Sequence, residues 1–293
     1  MRQLGVAPDE RSGGWNECLG GEMSGLSRAV LSKEEVERYN SDGFIVPKYK
    51  LSTFDVVRLQ ELTIQMVEEN PHLRDKFMTS PHVKNWGSQG LKSPRAHEWL
   101  DIAKHPDILD ILEQLVGPDI ILWGTTLFYK RALEGPATPW HRDAAYWPIK
   151  PLATTSVWIA VFESVIENGC LRFIPGSHLP KQFGRHSEDD RPEVMFHHIM
   201  AEDEVDESLA KDVELEPGQM VLFDVYMTHG ARPNRGSRPR AGYALRFMPA
   251  TSHYDHDAAI PGGETSRETK TLLLVRGVDR CGRNDFRRGH ALG

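Results

Sequence analysis

A histidine and an aspartate stand two positions apart within residues 138–143 of the chain, TPWHRD. In a β-strand, residues i and i+2 face the same side, so His141 and Asp143 would point at one place. Imidazole nitrogen and carboxylate oxygen are the ligands of the 2-His-1-carboxylate facial triad, which binds Fe(II) and leaves coordination positions open. Because His-x-Asp also occurs by chance in solvated turns, the hypothesis requires a third ligand.

His229 offers that third ligand, because it directly follows the apolar segment 220–225 and precedes Gly230. A histidine at a strand end can point into the mouth of a barrel, although a surface position is the more common alternative. Arg240 stands eleven residues further on, and its planar guanidinium can bind a carboxylate through two hydrogen bonds. An oxygenase that uses 2-oxoglutarate needs such a cation, because a buried carboxylate without a partner is strongly destabilised.

These four residues, with the segments 39–44 (YNSDGF) and 167–178 (ENGCLRFIPGSH), resemble the phytanoyl-CoA dioxygenase family of iron- and 2-oxoglutarate-dependent oxygenases. The resemblance extends over about residues 31–250. It implies that His141, Asp143 and His229 are the Fe(II) ligands, and that Arg240 binds the distal carboxylate of 2-oxoglutarate. It also implies O₂ as the second cosubstrate.

The resemblance implies further residues around the cosubstrate and the substrate. Trp158 stands where many family members place an aromatic residue beside 2-oxoglutarate, and a position in the hydrophobic core is its alternative. Tyr129 and Lys130 are candidate polar partners for 2-oxoglutarate or the substrate, whereas Arg246 is expected to have a structural or secondary role. The candidate substrate-binding residues are Arg142, Tyr146, Trp147 and Asn168, the last of which also lies in a turn.

Asp143 bears on the type of reaction, because related halogenases carry Ala or Gly at this position and so leave a site for chloride. The carboxylate therefore favours hydroxylation, or another oxidation that begins with hydrogen abstraction, over halogenation. We predict a hydroxylase that oxidises a small-molecule metabolite at an unactivated C–H bond and releases succinate and CO₂. A cupin-type metal oxygenase or isomerase without 2-oxoglutarate is one alternative, but it gives Arg240 no role. A non-catalytic jelly-roll binding protein is the other.

The predicted elements place helices first and strands after them. Helices followed by several short strands with turn signals indicate helices packed on a β-sandwich or jelly roll. The family resemblance specifies an α+β, mainly β fold, with a double-stranded β-helix (cupin-like) core and flanking N-terminal helices. Capping and periodicity predict helices at 32–40, 52–69 and 106–115, and strands at 44–46, 119–130, 156–162, 170–174, 220–225 and 242–247.

The domain prediction is a flexible tail at residues 1–27 and a single dioxygenase domain at 28–293, whose motif-bearing core is about 119–250. An irregular loop at 72–95 is a candidate lid or substrate-facing segment, with a plain surface loop as the alternative. Beyond residue 249 we expect irregular chain with one apolar run at 272–275 and a frayed basic end. The polar loop that holds His253, Asp255 and His256 does not favour a second metal site.

Composition excludes some classes of partner. The net charge of −7 argues against nucleic-acid binding, and no apolar run approaches the roughly 18 residues of a membrane-spanning helix. The N-terminus lacks a secretory signal pattern. Three cysteines far apart predict free thiols in a reducing compartment, which favours a cytoplasmic location. The oligomeric state is left open.

Overall fold

The computed structural model describes residues 30–73, 77–83, 93, 95–188, 198–258 and 270–289. The predicted tail at residues 1–27 and much of the predicted loop at 72–95 lie outside these ranges. Within them, no helix combines the length and the apolar character that crossing a bilayer requires.

The described residues contain four α-helices, three of which confirm the predictions. Helix α1 (Lys33–Asp42) begins at a reciprocal capping box between Ser32 and Glu35. The other predicted helices are α2 (Thr53–Glu69) and α4 (Pro106–Val116). Helix α3 (Ala96–Ala103) was not predicted, because its N-cap residue makes no side-chain hydrogen bond and gives no capping signal.

The described residues contain fifteen strands, and all six predicted strands are among them. Five of the six are one or two residues shorter than predicted, whereas the strand predicted at 242–247 extends over 240–249. The remaining nine strands lie outside the six predicted ranges. In chain order the fifteen strands are β1 (Phe44–Ile45), β2 (Phe77–Thr79), β3 (Ile120–Lys130), β4 (Thr138–His141), β5 (Ile149–Lys150), β6 (Thr155–Ala160), β7 (Leu171–Phe173), β8 (His186–Glu188), β9 (His198–Met200), β10 (Lys211–Val213), β11 (Met220–Asp224), β12 (His229–Ala231), β13 (Arg240–Pro249), β14 (His253–Tyr254) and β15 (Leu273–Arg276).

Two antiparallel sheets face each other and form the double-stranded β-helix. The major sheet has the strand order β1-β11-β6-β13-β3-β15, with β2 also paired to β3. The minor sheet has the order β10-β7-β12-β4. Two short pairs, β5 with β14 and β8 with β9, lie outside these sheets. The fold is therefore the predicted jelly roll with helices outside it.

The alternation of side chains along β13 separates the two faces of the major sheet. Tyr243, Leu245 and Phe247 belong to the core cluster that contains the helices. Ala244 belongs to a second cluster between the sheets, together with Phe173 of the minor sheet. Because alternate residues of a strand share a face, the even-numbered residues of β13 line this space between the sheets, which we call the barrel interior.

The C-terminal segment forms a strand at the apolar run that was predicted within irregular chain. Strand β15 pairs with β3 at the edge of the major sheet, and Leu272 is buried against Ile121 and Met248. Further on, Arg280 donates to Asp119, with 2.6 Å between Nε and Oδ2. Pairing with a long strand therefore turns most of the predicted apolar run into a strand, whereas the other residues of 270–289 form no helix or strand, as predicted.

Candidate metal and cosubstrate site

His141 and His229 are direct cross-strand partners in the minor sheet, where β4 lies beside β12. Their ring centroids are 4.1 Å apart. Asp143 lies two residues beyond His141, and its Oδ1 is 3.7 Å from Nε2 of His141. One ligand atom from each of the three buried residues lies within 4.8 Å of the other two. The structure therefore brings together the predicted triad, the one such cluster found in the described chain.

Backbone carbonyls orient both imidazole rings. The Nδ1 atom of His141 lies 2.8 Å from the carbonyl oxygen of Pro139, and that of His229 lies 3.0 Å from the carbonyl oxygen of Met227. Because a carbonyl can only accept, Nδ1 carries the proton in each ring and Nε2 carries the lone pair. Burial lowers the pKa of His229 despite the opposing charge of Asp143, which favours the neutral form that binds metal.

Aromatic side chains enclose His229 on the side of the barrel interior. The ring centroids of Phe223 and Phe173 lie 4.8 Å and 5.8 Å from that of His229. Neither phenylalanine was predicted as a site residue. The alternation of strand 220–224 does place Phe223 on one face with Val221, but only the packing of the two sheets shows that this face borders the histidines.

Arg240 is buried in the barrel interior, and no carboxylate of the described residues pairs with it. Its side chain is 2% exposed, and its guanidinium carbon lies 4.4 Å from the ring centroid of Trp158. Its Nε and Nη2 atoms have no hydrogen-bond partner in the part of the chain that the structure describes. Burial lowers the pKa of Arg240 to about 10. A guanidinium in this state fits a bidentate carboxylate, which would satisfy the donors and the charge together.

Lys130 brings a second buried cation to the same end of the barrel. It is the cross-strand partner of Arg240, and its Nζ donates to the carbonyl oxygen of Arg232 at 2.7 Å. Burial, and then the charge of Arg240, hold the pKa of Lys130 well below its ordinary value. Neither cation forms an ion pair with a carboxylate of the described chain. A dicarboxylate with one end here would offset both charges.

Comparison with known proteins identifies the family. The profile of the phytanoyl-CoA dioxygenase (PhyH) family matches residues 27–242. The chain belongs to the phytanoyl-CoA dioxygenase family. The peroxisomal phytanoyl-CoA dioxygenase of Bos taurus is 25% identical over 248 residues, 77% of this chain and 71% of that protein.

Solved structures agree with this PhyH family membership. The non-heme monooxygenase ThoJ superimposes with a TM-score of 0.63 at 25% identity, over 87% of this chain and 88% of its own. CytC3, solved with Fe(II) and alpha-ketoglutarate, gives a TM-score of 0.62 over 88% and 93%. At 22% identity, CytC3 shows the shared fold alone.

Several residues predicted for this PhyH-family site lie elsewhere. Tyr129 packs with the helix-side core, because alternation along β3 sends it to the face opposite Lys130. Arg142 donates to Thr228 Oγ1 at 2.8 Å and to the carbonyl oxygen of Gln182 at 2.7 Å, so it braces a loop. Asn168 bonds the backbone of its own turn through Glu163 and Val165. We therefore leave Tyr129, Arg142 and Asn168 out of the proposed site.

The other predicted residues have different outcomes. Trp158 lies in the barrel interior against Arg240, and Lys130 lies beside them. Trp147 packs edge-on against Trp123 at 4.4 Å between ring centroids. The backbone of Tyr146 closes a short 3₁₀-helix, whereas its side chain lies outside the described part of the chain.

Gly242 makes room for Trp158 in this PhyH-family site. A Cβ atom added at Gly242 would lie 1.8 Å from Cζ2 of Trp158. We expect Gly242→Ala to destabilise the protein by about 1–3 kcal/mol, because the indole must shift. Because the guanidinium of Arg240 lies over the Trp158 ring, the same shift would disturb that contact. Urea denaturation measures the stability, and Gly124→Ala is the control, because its methyl group meets nothing closer than 3.6 Å. If Gly242→Ala and Gly124→Ala lowered the free energy of unfolding equally, this role of Gly242 would be contradicted.

The depressed pKa of Lys130 predicts a pH dependence of stability. At pH values below the pKa of Lys130 in the folded protein, its ammonium group is charged and buried, and the whole cost of burying that charge destabilises the folded state. As the pH rises from the folded pKa toward the ordinary 10.5, the folded chain releases this proton while the unfolded chain retains it. Wild type should therefore gain stability relative to Lys130→Met across this window. Denaturation of both proteins over a pH series measures the difference, and a difference that does not change with pH would contradict the prediction.

Proposed function

We propose that this chain is an Fe(II)- and 2-oxoglutarate-dependent dioxygenase that hydroxylates a small-molecule metabolite at an unactivated C–H bond. His141, Asp143 and His229 hold the iron in this proposal, and Arg240 binds the distal carboxylate of 2-oxoglutarate. When bound, the iron, 2-oxoglutarate and O₂ supply the oxidation of the C–H bond, with release of succinate and CO₂.

One observation carries the proposal: a buried guanidinium, which no carboxylate of the described chain neutralises, lies in the same barrel interior as the three metal-ligand candidates. A cupin-type enzyme that needs no 2-oxoglutarate has no use for that cation. A binding protein without catalysis has no use for the neutral, carbonyl-oriented imidazoles. The cupin-type enzyme thus leaves Arg240 without a role, and the binding protein leaves His141 and His229 without one.

The protein's own residues have three tasks in this mechanism. The carbonyls of Pro139 and Met227 hold the imidazoles so that their unprotonated nitrogens bind the iron. Phe173 and Phe223 exclude water beside His229. Arg240 and Trp158 fix the far end of the cosubstrate, so that its other end is oriented toward the metal.

Asp143 supports hydroxylation over halogenation. It supplies the carboxylate of the triad and completes three protein ligands. With that position taken by the protein, an external halide has no vacant ligand site of the kind that Ala or Gly leaves in related halogenases.

Succinate formation tests the proposal. Purified protein is incubated in air with Fe(II), 2-oxoglutarate and mixtures of candidate metabolites, and succinate is measured against a sample without metabolite. We expect stimulated succinate release, with oxygen incorporated from ¹⁸O₂ into one metabolite. A metabolite converted at the same rate without 2-oxoglutarate would favour the cupin-type enzyme.

A further inference from the structure

A second pair of cations lies in the barrel interior, at the end opposite Arg240. Arg246 is on the same face of β13 as Arg240, six residues further on, which corresponds to roughly 20 Å along a strand. Its Nη1 donates to Thr126 Oγ1 at 2.7 Å, and its buried Nε has no partner among the residues that the structure describes. One donor of this guanidinium is therefore satisfied by the protein and another is not.

Lys270 approaches this end from the C-terminal segment. Its Nζ lies 5.6 Å from the ring centroid of Trp123, and a Cβ atom added at Gly124 would lie 3.6 Å from the same Nζ. Loss of hydration, and then the charge of Arg246, lower the pKa of Lys270 to about 8. Within the ranges that the structure describes, neither Lys270 nor Arg246 forms an ion pair with a carboxylate.

Aromatic rings surround the two cations. The guanidinium carbon of Arg246 lies 5.4 Å from the ring centroid of Trp147 and 6.0 Å from that of Phe128. Trp147 in turn packs edge-on against Trp123. Such walls contact an apolar skeleton and exclude water, so a charge bound between them would be held by strong, poorly screened interactions.

Arg246, one member of the cationic pair, lies near two of the metal-ligand candidates. Asp143 interacts electrostatically with Arg246, and Arg246 in turn contributes to the lowered pKa of His229. Arg240 and Lys130, at the other end, already suffice for the distal carboxylate of 2-oxoglutarate. The second pair is therefore available to another ligand that reaches the same metal.

We propose that Arg246 and Lys270 bind an oxyanion of the substrate, a carboxylate or a phosphate, and so place a C–H bond close to that group beside the metal. This inference rests on the proposed function and adds the substrate class to it. Guanidinium and ammonium donors suit either oxyanion, and the aromatic rings suit an apolar remainder.

Calorimetric binding to a panel of small carboxylic acids and phosphate monoesters tests the inference. Each is paired with its neutral counterpart, a primary amide or an alcohol. We expect wild-type protein to bind the carboxylic acids, the phosphate monoesters or both about tenfold more tightly than their neutral counterparts. The reason is that hydrogen bonds to charged groups are stronger than those to neutral groups. The compound class with the larger ratio of oxyanion affinity to neutral affinity, carboxylates or phosphates, identifies the oxyanion.

Variants of Lys270 localise the effect and leave the sheet intact. Lys270→Met should abolish most of the preference, and Lys270→Arg should restore it. Lys211→Met, which removes an exposed charge on β10, should leave it unchanged. A panel without any preference for oxyanions, or a preference that survives Lys270→Met, would overturn the inference.

Running the panel with and without Fe(II) and 2-oxoglutarate under anaerobic conditions separates this inference from the proposed function. Retained oxyanion preference in a protein that binds neither iron nor 2-oxoglutarate would support the anion site and refute the oxygenase. Binding of both cofactors without any oxyanion preference would support the oxygenase and refute the anion site.

Discussion

Replacing Arg240 with methionine is expected to stabilise the ligand-free protein and to weaken 2-oxoglutarate binding by about 100-fold or more. The stabilisation, about 1–3 kcal/mol, follows because the variant removes a buried charge whose Nε and Nη2 donors have no partner within the described ranges. It also relieves the repulsion between Arg240 and Lys130. The loss of affinity follows because the same donors are those that the distal carboxylate needs.

The opposite signs of the two effects make this a stringent test. Denaturation of the ligand-free protein gives the stability, and titration with 2-oxoglutarate in the presence of Fe(II) without oxygen gives the affinity. Arg238→Met is the matched control, because it removes an arginine whose side chain is 69% exposed and paired with Glu163. A ligand-free Arg240→Met protein less stable than wild type, or one with unchanged affinity, would count against the assigned role.

His229→Ala is expected to lower iron affinity and turnover by more than about 100-fold each, since even the loss of residues that support a ligand costs 10–100-fold. The substitution leaves only His141 and Asp143, two ligands from a single short segment. Iron per folded protein, measured after removal of unbound metal, and succinate formation report the two quantities.

His253→Ala provides the control for the histidine substitution and also tests for a second metal site. His253 is buried like His229 but lies on β14, outside the metal-ligand cluster. We expect one iron per chain in wild type and in His253→Ala. Retention of iron by His229→Ala, or loss of iron from His253→Ala, would contradict the assignment of the triad.

The sequence was sufficient to bring two of the three metal-ligand candidates together, because their geometry is local. His141 and Asp143 are two residues apart, and a strand end places both on one side. His229 required more: the structure pairs it directly with His141 across the minor sheet. That register follows from long-range strand pairing, which a spacing pattern does not contain and which the family resemblance supplied instead.

Predictions of site residues differed from the structure where the role of a residue depends on which face of a strand its side chain occupies. Tyr129 and Lys130 are neighbours in sequence, but one packs against the helices and the other lies beside Arg240. Arg246 was assigned a structural or secondary role because it lies six residues beyond the expected anchor. Its side chain instead enters the barrel interior near Asp143.

The C-terminal segment shows what local pattern cannot predict. Residues 270–289 have little periodicity, so irregular chain was the expectation. Pairing of β15 with the long strand β3 orders the segment and carries Lys270 to Trp123. A contact between residues about 150 positions apart is a property of the tertiary structure, and the predicted substrate surface was incomplete without it.

The central claim is that one barrel binds iron through His141, Asp143 and His229 and binds 2-oxoglutarate through Arg240. Anaerobic addition of Fe(II) and then 2-oxoglutarate to the protein, followed by visible absorption spectroscopy, tests this most directly. We predict a weak metal-to-ligand charge-transfer band that requires both additions, disappears in His229→Ala and needs much more 2-oxoglutarate in Arg240→Met. Iron bound to wild-type protein without such a band at saturating 2-oxoglutarate would contradict the account.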